Sequence, residues 1–263
     1  ADLFSRATGL KVVFSGGAGV DHILTLPGLP DLPLVRFVDR SLTTRMSEWV
    51  VMQCLMHLRQ TVAYDENRAK KIWKELPQPE ARDVTVGIMG LGVLGQDAAE
   101  KLRHIGFNVI GWSRTPKHIA GVQTFSAGDL DVFLGQTDIL VGLLPLTAET
   151  TGLFNMALFQ KLRRTGALGK PVFINAGRGK SQVEKDIIIA LEQSILKGVS
   201  LDVFETEPLP ADSPLWSMKN VFMTPHAAAA SDCKALFQHV QNQIDRFEKG
   251  FPLEHVVNRG FGY

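Results

Sequence analysis

The sequence is short of cysteine, of any excess of one charge, and of long apolar runs, and each shortage excludes a class of protein. Of 263 residues only Cys54 and Cys233 are cysteines, far apart and without metal-ligand spacing. Neither a disulfide framework nor a metal site is expected, and free thiols in a reducing compartment are. Lysine and arginine number 28 against 27 acidic residues, a formal net charge of +1. That balance lacks the basic excess of a nucleic-acid-binding surface, so the expected partner is a small molecule and not nucleic acid. No stretch of about 18 or more apolar residues occurs, so no membrane-spanning helix is expected. The first residues carry neither the charged nor the apolar region of a signal peptide, and a cytoplasmic protein is the resulting expectation. Internal repeats and low-complexity tracts are absent, and no Gly-x-Ser-x-Gly elbow surrounds Ser181, which disfavours a hydrolase.

What is present is a 45% apolar chain, long enough for two domains, in which short apolar runs alternate with helical patterns. The runs are Lys11 to Phe14, Leu34 to Val38, Val84 to Met89, Asn108 to Trp112, Ile139 to Leu144, Val172 to Ile174, Val199 to Phe204 and Val221 to Met223. Such alternation predicts βαβ units and an α/β fold with a parallel sheet covered on both faces. A capping box of Ser181 and Glu184 predicts a helix through Ile187, Ala190, Leu191 and Ile195 that ends at Gly198. A single long helix is expected from about Arg45 to Trp73, followed by a linker-like stop from Glu75 to Glu80 with its two prolines.

Chemistry first shows in "VTVGIMGLGVLGQDAAEKLRHIGFNVIGWSRT", where a strand, Gly90-x-Gly92-x-x-Gly95, a helix and a second strand follow in order. The glycines allow a tight turn, close approach to a pyrophosphate, and close helix–strand packing, while the helix N-terminus points unpaired N–H groups at the phosphates. Val93 and Leu94 lie within that turn. About 20 residues past the motif, where NAD-binding chains carry an acid for the ribose 2′-hydroxyl, stand Ser113, Arg114 and Thr115, with Lys117 close behind. A hydroxyl and a guanidinium suit a 2′-phosphate, so NADPH is expected over NADH.

Three polar residues then follow apolar runs at what should be the carboxyl ends of sheet strands, where α/β proteins bind ligands. They are Arg178, Glu207 and His226. A guanidinium between glycines can grip a carboxylate with two parallel bonds, and a histidine beside a carboxylate can pass a proton near neutral pH. With a nicotinamide nucleotide, that set suits reduction of a 2-oxo acid. The other histidines singled out, His22 and His57, read as ordinary packing or surface residues.

The segments "GLGVLG", "NAGRG", "LDVFETEPLPADSPLW" and "TPHAA" together resemble the D-isomer-specific 2-hydroxyacid dehydrogenase family. "FSGGAGVDHIL", "WSRT", "LLPLTAETTGLFN" and "RGFGY" are most similar to its glyoxylate/hydroxypyruvate reductase A branch. The resemblance covers nearly the whole chain. It implies NADPH-dependent reduction of glyoxylate or hydroxypyruvate to glycolate or D-glycerate. The catalytic roles fall on Arg178, on Glu207 rather than Glu205, and on His226 as proton donor. Substrate binding falls on Gly17, Ala18, Gly19 and Arg178. Cofactor contacts fall on Leu144, Pro145, Thr150, Ala176, Arg178 and Asp202, the last facing the nicotinamide carboxamide. The family further implies a Rossmann-type domain at 42–230 inserted in a smaller flavodoxin-like substrate domain made of 1–41 and 231–263, and a homodimer whose contact region includes the helix from Arg45. Gly177, where the family commonly has alanine, and Ala228 after His226 are expected to loosen the pocket. Family members begin with a βαβ-type unit of about 30 or more residues, whereas ten residues precede Lys11 here, so a portion of a longer protein with an N-terminally incomplete substrate domain is expected. Two alternatives stay open: reduction of another 2-oxo acid such as pyruvate or phenylpyruvate, and a nucleotide-sensing, corepressor-like binding module.

Overall fold

The computed structural model describes residues 3–263, so the first two residues of the expected 1–41 segment lie outside it. In chain order the elements are α1 (Leu3–Arg6), β1 (Val13–Phe14), α2 (Asp21–Leu24), β2 (Leu34–Val35), α3 (Arg40–Leu58), α4 (Thr61–Ala69), β3 (Thr85–Met89), α5 (Val93–Ile105), β4 (Asn108–Trp112) and β5 (Gln123–Phe125). Then follow α6 (Leu130–Gln136), β6 (Ile139–Gly142), α7 (Met156–Phe159), β7 (Val172–Asn175), α8 (Glu184–Glu192), β8 (Gly198–Leu201), β9 (Val221–Met223) and α9 (Cys233–Glu248). Seven strands form one parallel sheet in the order β5-β4-β3-β6-β7-β8-β9, while β1 and β2 pair as a small parallel sheet of their own.

That order reverses direction between β3 and β6, the doubly wound arrangement of a Rossmann-type domain, and it opens a crevice at their carboxyl ends. The strands read as near-continuous apolar runs because both faces are covered. Val86, Ile88, Val109, Val141 and Ile174 pack under α3 and α5 on one side. Met89, Ile110, Leu140, Phe154, Phe159 and Phe173 pack on the other, with Phe133 of α6 and Ile187 of α8. After α9 the chain returns to the small sheet, where Val257 N–H donates to Leu34 and Arg36 N–H donates to His255. The large sheet is thus interposed in sequence between two parts of the smaller one.

Three local expectations fail, each for a physical reason. The helix expected from Arg45 to Trp73 is two helices, α3 and α4, separated at Gln60, whose φ of 57° is left-handed and cannot continue a helix. Residues 72–80 have no regular structure, in keeping with the expected linker. The Ser181 capping box does not form, because Ser181 lies in a 3₁₀ turn and spends its hydroxyl on the Arg178 carbonyl at 2.5 Å; Val183 precedes α8 instead. That helix stops at Glu192, with Ser194 left-handed at φ 57°, and Gly198 opens β8 rather than closing the helix. The short β5, mostly polar, was not expected at all.

Candidate active site

The carboxyl ends of β3, β4, β6, β7 and β8 open into one cavity of about 1050 Å³, closed from the far side by the loop between β1 and α2. All of the nucleotide, catalytic and substrate positions named from the sequence line it. The structure therefore brings together residues as distant in sequence as Gly17 and His226.

The glycine turn after β3 is dictated by sterics. Gly90 has φ +109°, and a Cβ there would meet Leu143 O at 2.5 Å; a Cβ on Gly95 would lie 1.9 Å from Gly90 O. At Gly92 an added Cβ meets nothing within 4 Å, so bare backbone faces the open cavity at the N-terminus of α5. Backbone amides, a dipole end and empty space beside Gly92 fit a pyrophosphate. At the end of β4, buried Ser113 donates to Thr115 O at 2.7 Å, Lys117 reaches back to Leu91 O at 2.8 Å, and Arg114 lies exposed at the cavity wall. Thr150 donates to Pro145 O at 2.7 Å and accepts from Thr147 N–H at 2.8 Å, which closes the loop after β6.

Gly177 corrects one expectation. A Cβ there would meet Leu144 O at 2.8 Å, so glycine draws the loops after β6 and β7 together instead of loosening the pocket. Ala228 is buried in the core, out of the cavity.

Arg178 lies in extended backbone just past β7, with its side chain only partly exposed. Its Nε donates to Asp21 Oδ1 at 2.8 Å and its Nη1 to Gly177 O at 2.8 Å. The guanidinium also lies over the Gly17-Ala18-Gly19 loop so closely that a Cβ on Gly19 would be 1.2 Å from Nη2. Ser15, buried beneath that loop, has its one hydroxyl proton within reach of the carbonyls of Gly17 at 2.9 Å and Gly19 at 3.2 Å, while its oxygen accepts from Gly17 N–H at 3.3 Å, and it so sets the curvature of the loop. Neither Ser15 nor Asp21 was anticipated, and no sequence signal marks the pair Asp21–Arg178, which spans 157 positions.

His226 Nδ1 lies 2.8 Å from Glu207 Oε2, and Glu207 Oε1 accepts from Phe204 N–H at 3.0 Å. The neighbouring Glu205 is occupied elsewhere: it and Glu184 exchange side-chain-to-backbone bonds of 2.6 Å. Burial, with the negative charges of Glu205 and Glu207 adding to it, holds the Glu184 carboxyl above the usual carboxylate range. His226 adopts φ 53°, an uncommon left-handed backbone for a non-glycine residue. Asp202 maintains it, since Oδ1 accepts from Thr224 Oγ1, Ala227 N–H and Ala228 N–H while the Asp202 carbonyl accepts His226 N–H. The carboxylate expected to face a nicotinamide is thus also the anchor of the histidine turn.

A phosphate-binding turn at the switch point, opening on a cavity that also holds an arginine and a carboxylate-paired histidine, defines a nicotinamide-nucleotide-dependent oxidoreductase. Comparison with known proteins narrows the class. The model of the D-isomer specific 2-hydroxyacid dehydrogenase NAD binding domain matches residues 51–228. The glyoxylate/hydroxypyruvate reductase A of Escherichia fergusonii is 41% identical over 261 residues, 97% of this chain and 82% of its own. Among solved structures, an NADPH-dependent glyoxylate/hydroxypyruvate reductase from Sinorhizobium meliloti, in complex with NADP and sulfate, is 68% identical with a TM-score of 0.98, covering 100% of this chain and 83% of its own. A D-isomer specific 2-hydroxyacid dehydrogenase from Xanthobacter autotrophicus, in complex with NADPH and MES, is 38% identical with a TM-score of 0.95, covering 100% of this chain and 82% of its own. The chain belongs to the D-isomer specific 2-hydroxyacid dehydrogenase family.

Proposed function

We propose that this protein reduces a small 2-oxo acid, glyoxylate or hydroxypyruvate, to glycolate or D-glycerate, using NADPH in preference to NADH. The observation that carries the proposal is the meeting, in one cavity, of the glycine turn with Arg178 and the His226–Glu207 pair. The names of the relatives from Escherichia fergusonii and Sinorhizobium meliloti support the substrate, and the latter's bound NADP supports the cofactor.

Reduced nicotinamide supplies the hydride when it is bound. The chain's residues do the rest. Arg178, with Nε tied to Asp21 and Nη1 to Gly177 O, keeps its remaining donors for a carboxylate and the adjoining carbonyl oxygen. It is assisted by the loop Gly17-Ala18-Gly19, in which, among the described residues, the Ala18 and Gly19 N–H groups are free and that of Gly17 turns back to Ser15. Glu207 fixes the imidazole through Nδ1, which leaves Nε2 to deliver the proton to the oxygen as the carbonyl carbon is reduced. Gly90, Gly92, Val93, Leu94 and Gly95 cradle the pyrophosphate; Ser113, Arg114 and Thr115 take the ribose phosphate. Leu144, Pro145, Thr150, Ala176 and Asp202 hold the nicotinamide half.

The division into a substrate part of residues 1–41 and 231–263 and a nucleotide part of 42–230 belongs to the same proposal. So does a cytoplasmic homodimer, supported by the exposed apolar side chains of Met52, Ile72 and Trp73 on and after the α3–α4 hairpin. Among the described residues no helix is long and apolar enough to cross a membrane.

Steady-state kinetics with glyoxylate, hydroxypyruvate, pyruvate and phenylpyruvate, each with NADPH and NADH, tests the activity. Highest kcat/KM for one of the first two with NADPH is expected. Preference for pyruvate or phenylpyruvate would reassign the substrate, and no turnover on any of the four would favour a binding module.

A further inference from the structure

The guanidinium of Arg114 is held by aromatic rings from the other end of the chain. Its Cζ lies 5.1 Å from the ring centroid of Phe261 and 5.8 Å from that of Tyr263, and its Nη2 donates to Tyr263 Oη at 3.4 Å. The two rings stack on each other at 6.4 Å and 29°. Gly262, left-handed at φ +78°, makes the turn that lets both rings face one cation, and it lines the cavity together with Tyr263.

This segment is anchored rather than draped. Phe261 and Gly262 N–H groups donate to Asn258 O, and Asn258 N–H donates to Tyr263 O. Arg259 donates to the carbonyls of Pro30 and Leu32 at 2.6 and 2.7 Å, which ties the segment to the small sheet's own connection. The aromatic pair thus reaches Arg114 from a platform that the nucleotide-binding sheet does not supply.

We infer that Phe261 and Tyr263 are positioning residues that set the preference for a 2′-phosphorylated nucleotide by orienting Arg114. The inference rests on the NADPH reading above and extends it to two residues outside the nucleotide fold. A guanidinium held over ring faces leaves most of its N–H donors available; Nη2 gives one to Tyr263 Oη, and Nε and Nη1 stay available to grip a phosphate as a pair. An exposed arginine otherwise loses rotamer freedom when it takes up an anion; held by the rings in advance, it loses less. Glu149, also in the cavity wall, is an acid that competes for the same cation. Its carboxyl is held below the usual range first by a hydrogen bond with Thr147, then by its own backbone, and only weakly by Arg114. Among the described residues Arg114 makes no ion pair with this carboxylate, whereas both rings and the Tyr263 hydroxyl contact it, so the aromatic pair fixes where the guanidinium lies.

The test is a double-mutant cycle read on both nucleotides. KM for NADPH and NADH is measured for the protein as it stands and for Arg114→Ala, Phe261→Leu, Tyr263→Leu and the Arg114→Ala/Phe261→Leu pair, with titration calorimetry of 2′-AMP and 5′-AMP as a binding readout independent of turnover. Each leucine variant is expected to lower the NADH-to-NADPH ratio of KM values by about twofold to fivefold, the range of an exposed cation–π contact. The same variants should weaken 2′-AMP more than 5′-AMP, Phe261→Tyr should restore the ratio, and Phe261→Leu should add nothing in the Arg114→Ala background. A rise in KM shared equally by both nucleotides, or leucine variants that leave the ratio unmoved while Arg114→Ala collapses it, would overturn the positioning role alone. If the protein shows no preference for NADPH, or Arg114→Ala leaves the NADPH KM unchanged, the cofactor reading itself fails and this inference falls with it.

Discussion

His226 carries a cost in its own backbone, since a left-handed φ in a histidine is tolerated only where surroundings impose it. Asp202 imposes it with its three accepted bonds, and the result aims the imidazole at Glu207 and the cavity. If His226 is the proton donor, His226→Ala should lower kcat by about 10²-fold or more, the usual range for a general acid, with little change in the KM for nucleotide. Near-normal turnover at neutral pH would remove it from the mechanism. Arg178→Lys is a sharper probe than alanine, because lysine keeps the charge and loses the planar fork that both Asp21 and a carboxylate use. Its expected signature is a rise in the KM for the 2-oxo acid together with a fall in kcat, measured against an unchanged melting temperature. Gly19 belongs to the same contact: Gly19→Ala would push a methyl group into the guanidinium, so substrate KM should rise although the fold survives.

At the level of elements, close backbone approaches do the assembling. The loops after β6 and β7 touch at Gly177 and Leu144, and neither is a flexible side chain that could yield. Gly177→Ala should therefore cost about 1–3 kcal/mol, as overpacking does, and weaken nucleotide binding, since Leu144 and Ala176 line the cavity; paired thermal melts with and without NADPH would show both. On the other face of the sheet, α3 is joined to β8 by a buried polar chain. His57 Nε2 meets Ser200 Oγ at 2.9 Å, and Ser200 gives its one proton to Gln53 Oε1 at 2.8 Å, so His57 donates from Nε2 to Ser200. Burial, with a smaller contribution from the charge of Lys197, pushes the His57 pKa down from 6.5 to about 3. The unfolded chain takes up this proton below about pH 6.5 and the folded chain does not, so stability is full above that pH and falls as pH drops toward 3, by at most about 1.4 kcal/mol per pH unit. Thermal melts from pH 7 to 4 should show a shallower decline in His57→Asn than in the unsubstituted chain. Equal slopes would mean that other groups govern acid unfolding.

For the molecule as a whole, Trp73 and Ile72 on a stretch without regular structure, and Met52 on α3, are large apolar side chains left exposed to water. In a homodimer they would be covered. Light scattering coupled to size exclusion should give twice the chain mass, and Trp73→Glu should shift the population toward the single chain. A single-chain mass at micromolar concentration would refute the dimer.

How much of this was legible beforehand depended on range. Local periodicity and glycine spacing made β3, β4, β7, β9 and the turn after β3 readable, because a buried parallel strand must be apolar throughout and a phosphate turn must lack side chains. The same local reasoning failed at Gln60 and Ser181, where a left-handed residue and a competing backbone carbonyl decided the outcome. Short-range chemistry in the sequence determined which residues could bind nucleotide, carboxylate and proton: the three glycines, Ser113 and Arg114, Arg178, Glu207 and His226. Only the tertiary structure decided that Asp21 and Gly19 shape the arginine, that Asp202 anchors the histidine turn, and that Phe261 and Tyr263 pack against Arg114. Those choices join residues as far apart as Gly19 and Arg178. No pattern along the chain encodes them, because they arise where separate strand ends and loops converge on one cavity.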